Sequence, residues 1–212
     1  MSTPPRRHFL AAALAALCLL GAAPGAHAAG EAPDAMMARL SADVLQTIKA
    51  DKAVAAGDLA HIMTVVDSKI MPNVNFIRMT ASATGPGWRK ATPEQRQKLQ
   101  NEFKTLLVRT YAGALRQVSD QTVEVLPLRA AASDQEVIVK TLVKGRGDPV
   151  QLDYRLEKAP GGGWKIYDLN VLGVWLVDNY RPQFAQQINA GGIDALIASL
   201  TERNKANAQN QN

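Results

Sequence analysis

Residues 162–184, GGWKIYDLNVLGVWLVDNYRPQF, leave a glycine turn, run as a strand and pass into a helical pattern. No charged residue falls between Asp168 and Asp178. From Trp164 to Val171 the side chains alternate with the two-residue period of a strand, and Val174, Leu176 and Val177 carry the apolar run onward. Three more strands are predicted ahead of it, at residues 122–128, 136–144 and 150–158. Asp134 marks the first turn, Gly145 to Pro149 the second, and Pro160 to Gly163 the third. The third strand alternates cleanly. Val150, Leu152, Tyr154 and Leu156 face one way, while Gln151, Asp153, Arg155 and Glu157 face water. One face of a four-stranded antiparallel sheet must therefore be covered by helices.

The first half of the chain supplies those helices. Met36, Met37, Leu40, Val44 and Ile48 recur at helical spacing, and Gly57-Asp58 ends one helix and starts the next. Leu59, Ile62, Met63, Val66 and Ile70 continue the stripe to Met71-Pro72. A short helix over 75–83 precedes the loop Gly85-Pro86-Gly87. Thr92, Pro93 and Gln95 then form a capping box with proline at the first helical position. The helix they open presents Leu99, Phe103, Leu106, Leu107, Val108, Tyr111 and Leu115. Two closing helices are predicted over 178–190 and 192–201, and the polar stretch 202–212 reads as disordered. The fold class is α+β: helices wrapped over one face of a curved four-stranded antiparallel sheet, in a single domain spanning 29–201.

The first 28 residues predict a cleaved export leader. Arg6 and Arg7 precede an uncharged run from Phe9 to Ala23, and Ala26-His27-Ala28 has the small-x-small form of a cleavage site. The run is shorter than the ~20 residues a spanning helix needs. Arg6 to Leu10 also resembles a twin-arginine signal, so both export routes stay open. Cys18 lies mid-run behind the large Leu17, which argues against a lipid anchor. Removing 28 of the 212 residues leaves 184, with no cysteine and His61 as the sole histidine. Disulfides and thiol nucleophiles are thereby excluded, and a single histidine speaks against protein-held zinc or a Ser-His-Asp site. The formal charge falls from +5 to +3 as the two leader arginines depart, too mild a balance to indicate nucleic acid.

Few side chains invite chemistry. Tyr154, Tyr167 and Asp168 resemble the tyrosine and carboxylate of an isomerase-like site in a cone of sheet and helices. If Tyr154 faces inward, a regular strand lets only one of Tyr167 and Asp168 do so. The plainer reading pairs Asp168 with an arginine or with a backbone amide. His61 reads as a surface or satisfied core histidine. Gly161-Gly162-Gly163 precedes a strand rather than a helix, so it is a hairpin turn and not a phosphate loop. Trp88-Arg89-Lys90 and Asn179-Tyr180-Arg181 could meet a headgroup, against solvated surface charge as the default.

What remains is an apolar surplus in an exported chain, which points to an apolar ligand. The strands offer Val125, Val139, Leu152, Tyr154, Leu169 and Val171. The helices opposite offer Phe76, Met79, Phe103, Leu107, Tyr111, Leu176, Tyr180 and Phe184. A packed core and a lined cavity need the same residue types, so periodicity leaves both open.

Three blocks carry a family resemblance: WRKATPEQRQKLQNEFKTLLVRTYAGAL (88–115), DYRL (153–156) and residues 162–184, with GGIDALIASL (191–200) fitting as well. They resemble the periplasmic phospholipid carriers of the Mla lipid-asymmetry pathway, also known as toluene-tolerance proteins. That family often carries an acidic residue before the glycine of the 162–184 run and a serine two places after it. Leu172 and Trp175 stand there instead.

The resemblance implies a monomeric, non-enzymatic periplasmic shuttle without a cofactor. Its cargo would be a phospholipid held by its tails in the helix–sheet cavity, lined by the fourteen residues above. Its implied partners are an outer-membrane lipoprotein–porin complex and the substrate-binding ring of an inner-membrane ABC transporter. Alternatives are an exported small-molecule-binding module or an isomerase-like enzyme on the same fold. Two acyl chains of about 14 methylenes represent roughly 20 kcal/mol of apolar burial at ~0.8 kcal/mol each. An unloaded cavity of that size must collapse or be filled, because proteins rarely keep large dry voids.

Overall fold

The computed structural model describes residues 30–115, 118–131 and 133–209. The expected leader and residues 210–212 lie outside them. Helices α1 (Pro33–Ala50), α2 (Lys52–Ala56) and α3 (Leu59–Val65) open the described chain. Asp51 and Asp58 cap α2 and α3, their carboxylates accepting the first free backbone N–H groups. A π-turn (Val66–Ile70) and a 3-10 turn (Met71–Asn73) lead into α4 (Phe76–Thr84) and α5 (Gly87–Lys90). The capping box forms as its sequence predicts. Gln95 N–H donates to Thr92 Oγ1 at 3.2 Å, and Thr92 N–H donates to Gln95 Oε1 at 3.0 Å. It starts the long helix α6 (Pro93–Leu115).

Five antiparallel strands follow in simple meander order: β1 (Thr122–Val125), β2 (Glu136–Lys144), β3 (Val150–Lys158), β4 (Trp164–Val171) and β5 (Val174–Trp175). Three of the four predicted strands keep their predicted bounds. The first is shorter than predicted: after Leu126 N–H reaches the Lys140 carbonyl the regular pairing stops ahead of Pro127. The fifth strand is a correction to the expected four. Val171 pairs with Val174 across a two-residue turn whose residues both have positive φ, Leu172 at 52° and Gly173 at 89°. That is the type I′ arrangement. Leu172 is the only described non-glycine residue at positive φ, a conformation that costs such a residue about 1–2 kcal/mol. Leucine gives no turn signal, so the hairpin is silent in the sequence.

The final helix, α7 (Leu176–Gln209), breaks at Gly191 and Gly192, where φ of 77° at Gly192 suits only glycine. The predicted pair of closing helices is thus present. The expected disorder over 202–212 is not found up to Gln209. Asn204, nearly buried, donates to the Glu102 carbonyl at 3.0 Å and to its carboxylate at 2.7 Å, docking the tail on α6.

The helices cover the sheet face bearing Val137, Val139, Tyr154, Leu156 and Leu169. One cluster joins α1 (Met36, Met37, Leu40) to Val137, Val139, Leu156 and Ile166. The larger cluster gathers α4, α6 and α7 over Leu169 and Val171 at the β4 side. A third joins Ile48, Val54, Ile62 and Val65 to α6. Asp153 and Asn170, opposite each other on the far face, are also buried, so the predicted water-facing side is only partly wet. Thr80 and Thr84 are buried on α4, their hydroxyls donating to the carbonyls of Phe76 and Thr80 at 2.8 Å each.

Candidate functional site

The large cluster collects ten of the fourteen candidate residues. Phe76, Met79, Phe103, Leu176, Tyr180 and Phe184 are buried in it, and Leu107, Tyr111, Leu169 and Val171 are partly buried at its edge. Phe103, fully buried, is its hub. Its ring meets Tyr180 and Phe184 edge-on with centroids 5.1 Å away, and Phe76 at 5.8 Å. Val125, Val139 and Tyr154 belong instead to the α1 cluster. Leu152 joins neither; it is half-buried, and its carbonyl accepts the Thr141 hydroxyl at 2.9 Å.

Tyr154 stands on the seam between the clusters, with Val139 of β2 on one side in register and Leu169 of β4 on the other. Burial pushes its phenol up to about 12, and the neighbouring Thr141 hydroxyl pulls weakly the other way. Burial likewise raises Tyr111, helped by Tyr180.

These residues interlock with one another in this structure. Two clefts of about 640 Å³ each open on the surface. One lies between α1 and β1, along Ala38, Ala42 and Val123; the other lies near Asp43 and Lys69. None of the fourteen candidates lines either. Phe76, Phe103, Tyr180 and Phe184 pack ring against ring at the centre of the expected lining.

Sequence periodicity missed the ties that hold the helical layer to the sheet. Arg78 of α4 reaches Glu157 and, at 2.6 Å, Glu136, and its guanidinium lies 3.6 Å over the Tyr167 ring. Asn75 caps α4 and donates to Glu157 at 2.6 Å. Hydrogen bonds from Arg78 and Tyr167 hold the Glu136 carboxyl below its ordinary range. Asp168 accepts from Leu169 N–H at 2.9 Å, Val177 N–H at 3.1 Å and Arg155 at 2.8 Å. Burial raises its pKa, opposed by those two amides and by Arg155. Arg155 also stacks 3.9 Å over Trp175, so the tryptophan at the departing position forms one side of this junction. Such ties join residues far apart in sequence, and no local pattern announces them.

The isomerase-like constellation does not assemble. Asp168 is opposite Arg155 and Tyr154 is opposite Leu169, which puts the carboxylate and the phenol on different faces. A bulge at Arg155/Leu156 breaks the strand's regularity, and Tyr167 turns to Glu136 at 2.9 Å. Asp168 thus has both partners of the plainer reading, an arginine and backbone amides. His61 is exposed and pairs with Asp58 at 3.1 Å. Gly161, Gly162 and Gly163 all have positive φ and form the predicted hairpin turn. Arg96 stacks on Trp88, and Arg181 donates to the Ser82 carbonyl at 3.1 Å. Among the described residues no group of three or more His, Cys, Asp or Glu could hold a metal, and no helix is long and apolar enough to cross a membrane.

Known proteins place this arrangement. A solved phospholipid-binding protein from Ralstonia solanacearum, in complex with a phospholipid, superposes with a TM-score of 0.80. It is 47% identical and covers 85% of this chain and 99% of its own. The toluene tolerance protein ttg2D of Pseudomonas putida is 27% identical over 179 residues, 84% of this chain and 83% of that protein. The intermembrane phospholipid transport system binding protein MlaC of Haemophilus influenzae is 23% identical over 173 residues, 80% of this chain and 81% of that one. The MlaC protein family model matches residues 38–202, and the chain belongs to that family.

Proposed function

We propose that this chain is a phospholipid carrier that takes its cargo by the acyl chains into the region now filled by the α4–α6–α7 cluster. The observation that carries this reading is the lipid complex of the Ralstonia relative, at 47% identity over nearly its full length. The cluster supplies the physical means. Its members are aromatic and aliphatic, their mutual contacts are of the same kind as contacts to a hydrocarbon tail, and a rim of half-buried residues surrounds them. Phe103 and its neighbours stand in the region that the tails would enter. Loading displaces rings and helices rather than filling a standing void, which keeps the exchange between membrane and carrier close to balanced.

The finer reading follows from the family. The leader sends the chain to the periplasm. There it acts as a monomeric shuttle, without cofactor or catalysis, between an outer-membrane lipoprotein–porin complex and the substrate-binding ring of an inner-membrane ABC transporter. The ten cluster residues line the loaded cavity, with Tyr154 at its sheet-side wall.

Native mass spectrometry of protein purified from cells tests the central claim. A mass increment matching phospholipid is expected, and lost after organic extraction. Protein that carries no lipid and takes none from vesicles would defeat it.

A further inference from the structure

The β4–β5 hairpin presents its apolar side chains outward. Leu172 is 68% exposed and Val174 52%, with Val150 of the adjoining strand at 37%. The tip is held firmly. Leu172 N–H donates to the Gln151 carbonyl at 3.3 Å, and Gly173 N–H donates to the buried Asn170 side chain at 2.8 Å. A turn of this type is best served by asparagine or glycine at the position Leu172 occupies. Folding gains nothing from a strained, solvent-facing leucine there, so its use lies outside the chain.

From this hairpin we infer that its tip is the chain's contact with a phospholipid bilayer, an inference that rests on the carrier reading above. Three observations favour a lipid surface over a protein. The tip is a convex two-residue turn with purely aliphatic side chains, far short of the ~800 Å² that each partner covers in a stable protein interface. It is continuous with the apolar cluster on both sides, since Val171 just before it and Leu176 just after it both belong there. The nearby sheet-end cations are already matched, Lys144 by Glu124 at 2.5 Å and Arg146 by Asp120 at 3.2 Å. Contact is therefore driven by apolar burial rather than by headgroup charge. Insertion of Leu172 and Val174 into the interface sets the cluster's edge against the lipid to be taken.

The test is flotation of the purified full chain with phosphatidylcholine vesicles, with and without phosphatidylglycerol. The wild type is expected to float with both. The double variant Leu172→Asn, Val174→Thr should lose at least fivefold of the bound fraction while its thermal midpoint holds or rises, because asparagine relieves the turn. Ile77→Asn, altering an equally exposed apolar residue on α4, should float as wild type does.

Undiminished flotation of the double variant would overturn the inference, as would an equal loss in Ile77→Asn. Binding only to the anionic vesicles would overturn it too. Native mass spectra of the same samples separate the two claims. Wild type that carries phospholipid without floating refutes the contact and leaves the carrier standing; wild type that floats without cargo refutes the carrier.

Discussion

Asp168, in the middle of β4, accepts the backbone N–H of Val177 at 3.1 Å and so caps the first turn of α7 from the sheet. Its carboxylate is 1% exposed and also takes Arg155 at 2.8 Å. Asp168→Ala strands the Val177 amide and leaves Arg155 only Asp178 at 3.5 Å and the Trp175 ring. It should cost about 3 kcal/mol of stability. Asp168→Asn keeps one acceptor oxygen and should cost roughly half of that. Urea unfolding followed by circular dichroism measures both; equal, negligible losses would remove Asp168 as the junction.

Phe103 offers a test that links stability to cargo. Phe103→Ala leaves a cavity at the hub of the cluster and should destabilise the lipid-free protein by about 3–5 kcal/mol. If tails replace the rings, the same substitution costs much less in lipid-loaded protein. Thermal melts before and after delipidation compare the two, and an equal loss in both would count against the proposed cavity.

Arg78 pins α4 to β2 and β3 through two glutamates and a tyrosine ring. Arg78→Ala should lower stability by about 1–3 kcal/mol and speed release of a fluorescent phospholipid, because it frees α4 from the sheet. Unchanged release kinetics in a folded variant would make the tie purely structural.

Glu136 gives that tie a pH dependence. Its folded pKa is held down by Arg78 and Tyr167, so the stability it contributes is present above the ordinary glutamate range and is lost as pH falls through the folded value. Glu136→Gln should flatten the acid limb of a stability profile between about pH 6 and pH 3. A limb of unaltered slope would contradict the assignment.

Tyr154 acts at the other end of the scale. With its phenol raised by burial to about 12, the folded chain keeps this proton where an unfolded tyrosine loses it. Stability therefore falls as pH rises from the ordinary tyrosine value of 10 towards 12. Ultraviolet titration of the wild type should show a late-titrating tyrosine component that Tyr154→Phe lacks. Tyr154→Phe should otherwise be nearly neutral, since Thr141 keeps its bond to Leu152.

The helices, the meander and the capping box at Thr92 were readable because each rests on local periodicity or on a short capping pattern. The ten residues of the large cluster were readable for a similar reason: an inward stripe identifies itself. Its interlocked state was not, since the stripe is the same whether Phe103 touches Tyr180 or a fatty tail. Leu172 marks another limit. Its turn is imposed by the pairing of Val171 with Val174 and by Asn170, against its own preference. Val125, Val139, Leu152 and Tyr154 stand outside the large cluster, because strand alternation fixes a face but not which helix covers it.

Thr80 and Thr84 close their hydrogen bonds on carbonyls of their own helix. Wherever α4 goes, those bonds go with it. A sliding or tilting α4 thus uncovers no orphaned hydroxyl, and the wall it offers to a hydrocarbon stays chemically dry. Breathing of this region is resisted by shape and contact area, two things that a pair of flexible lipid tails is well suited to replace.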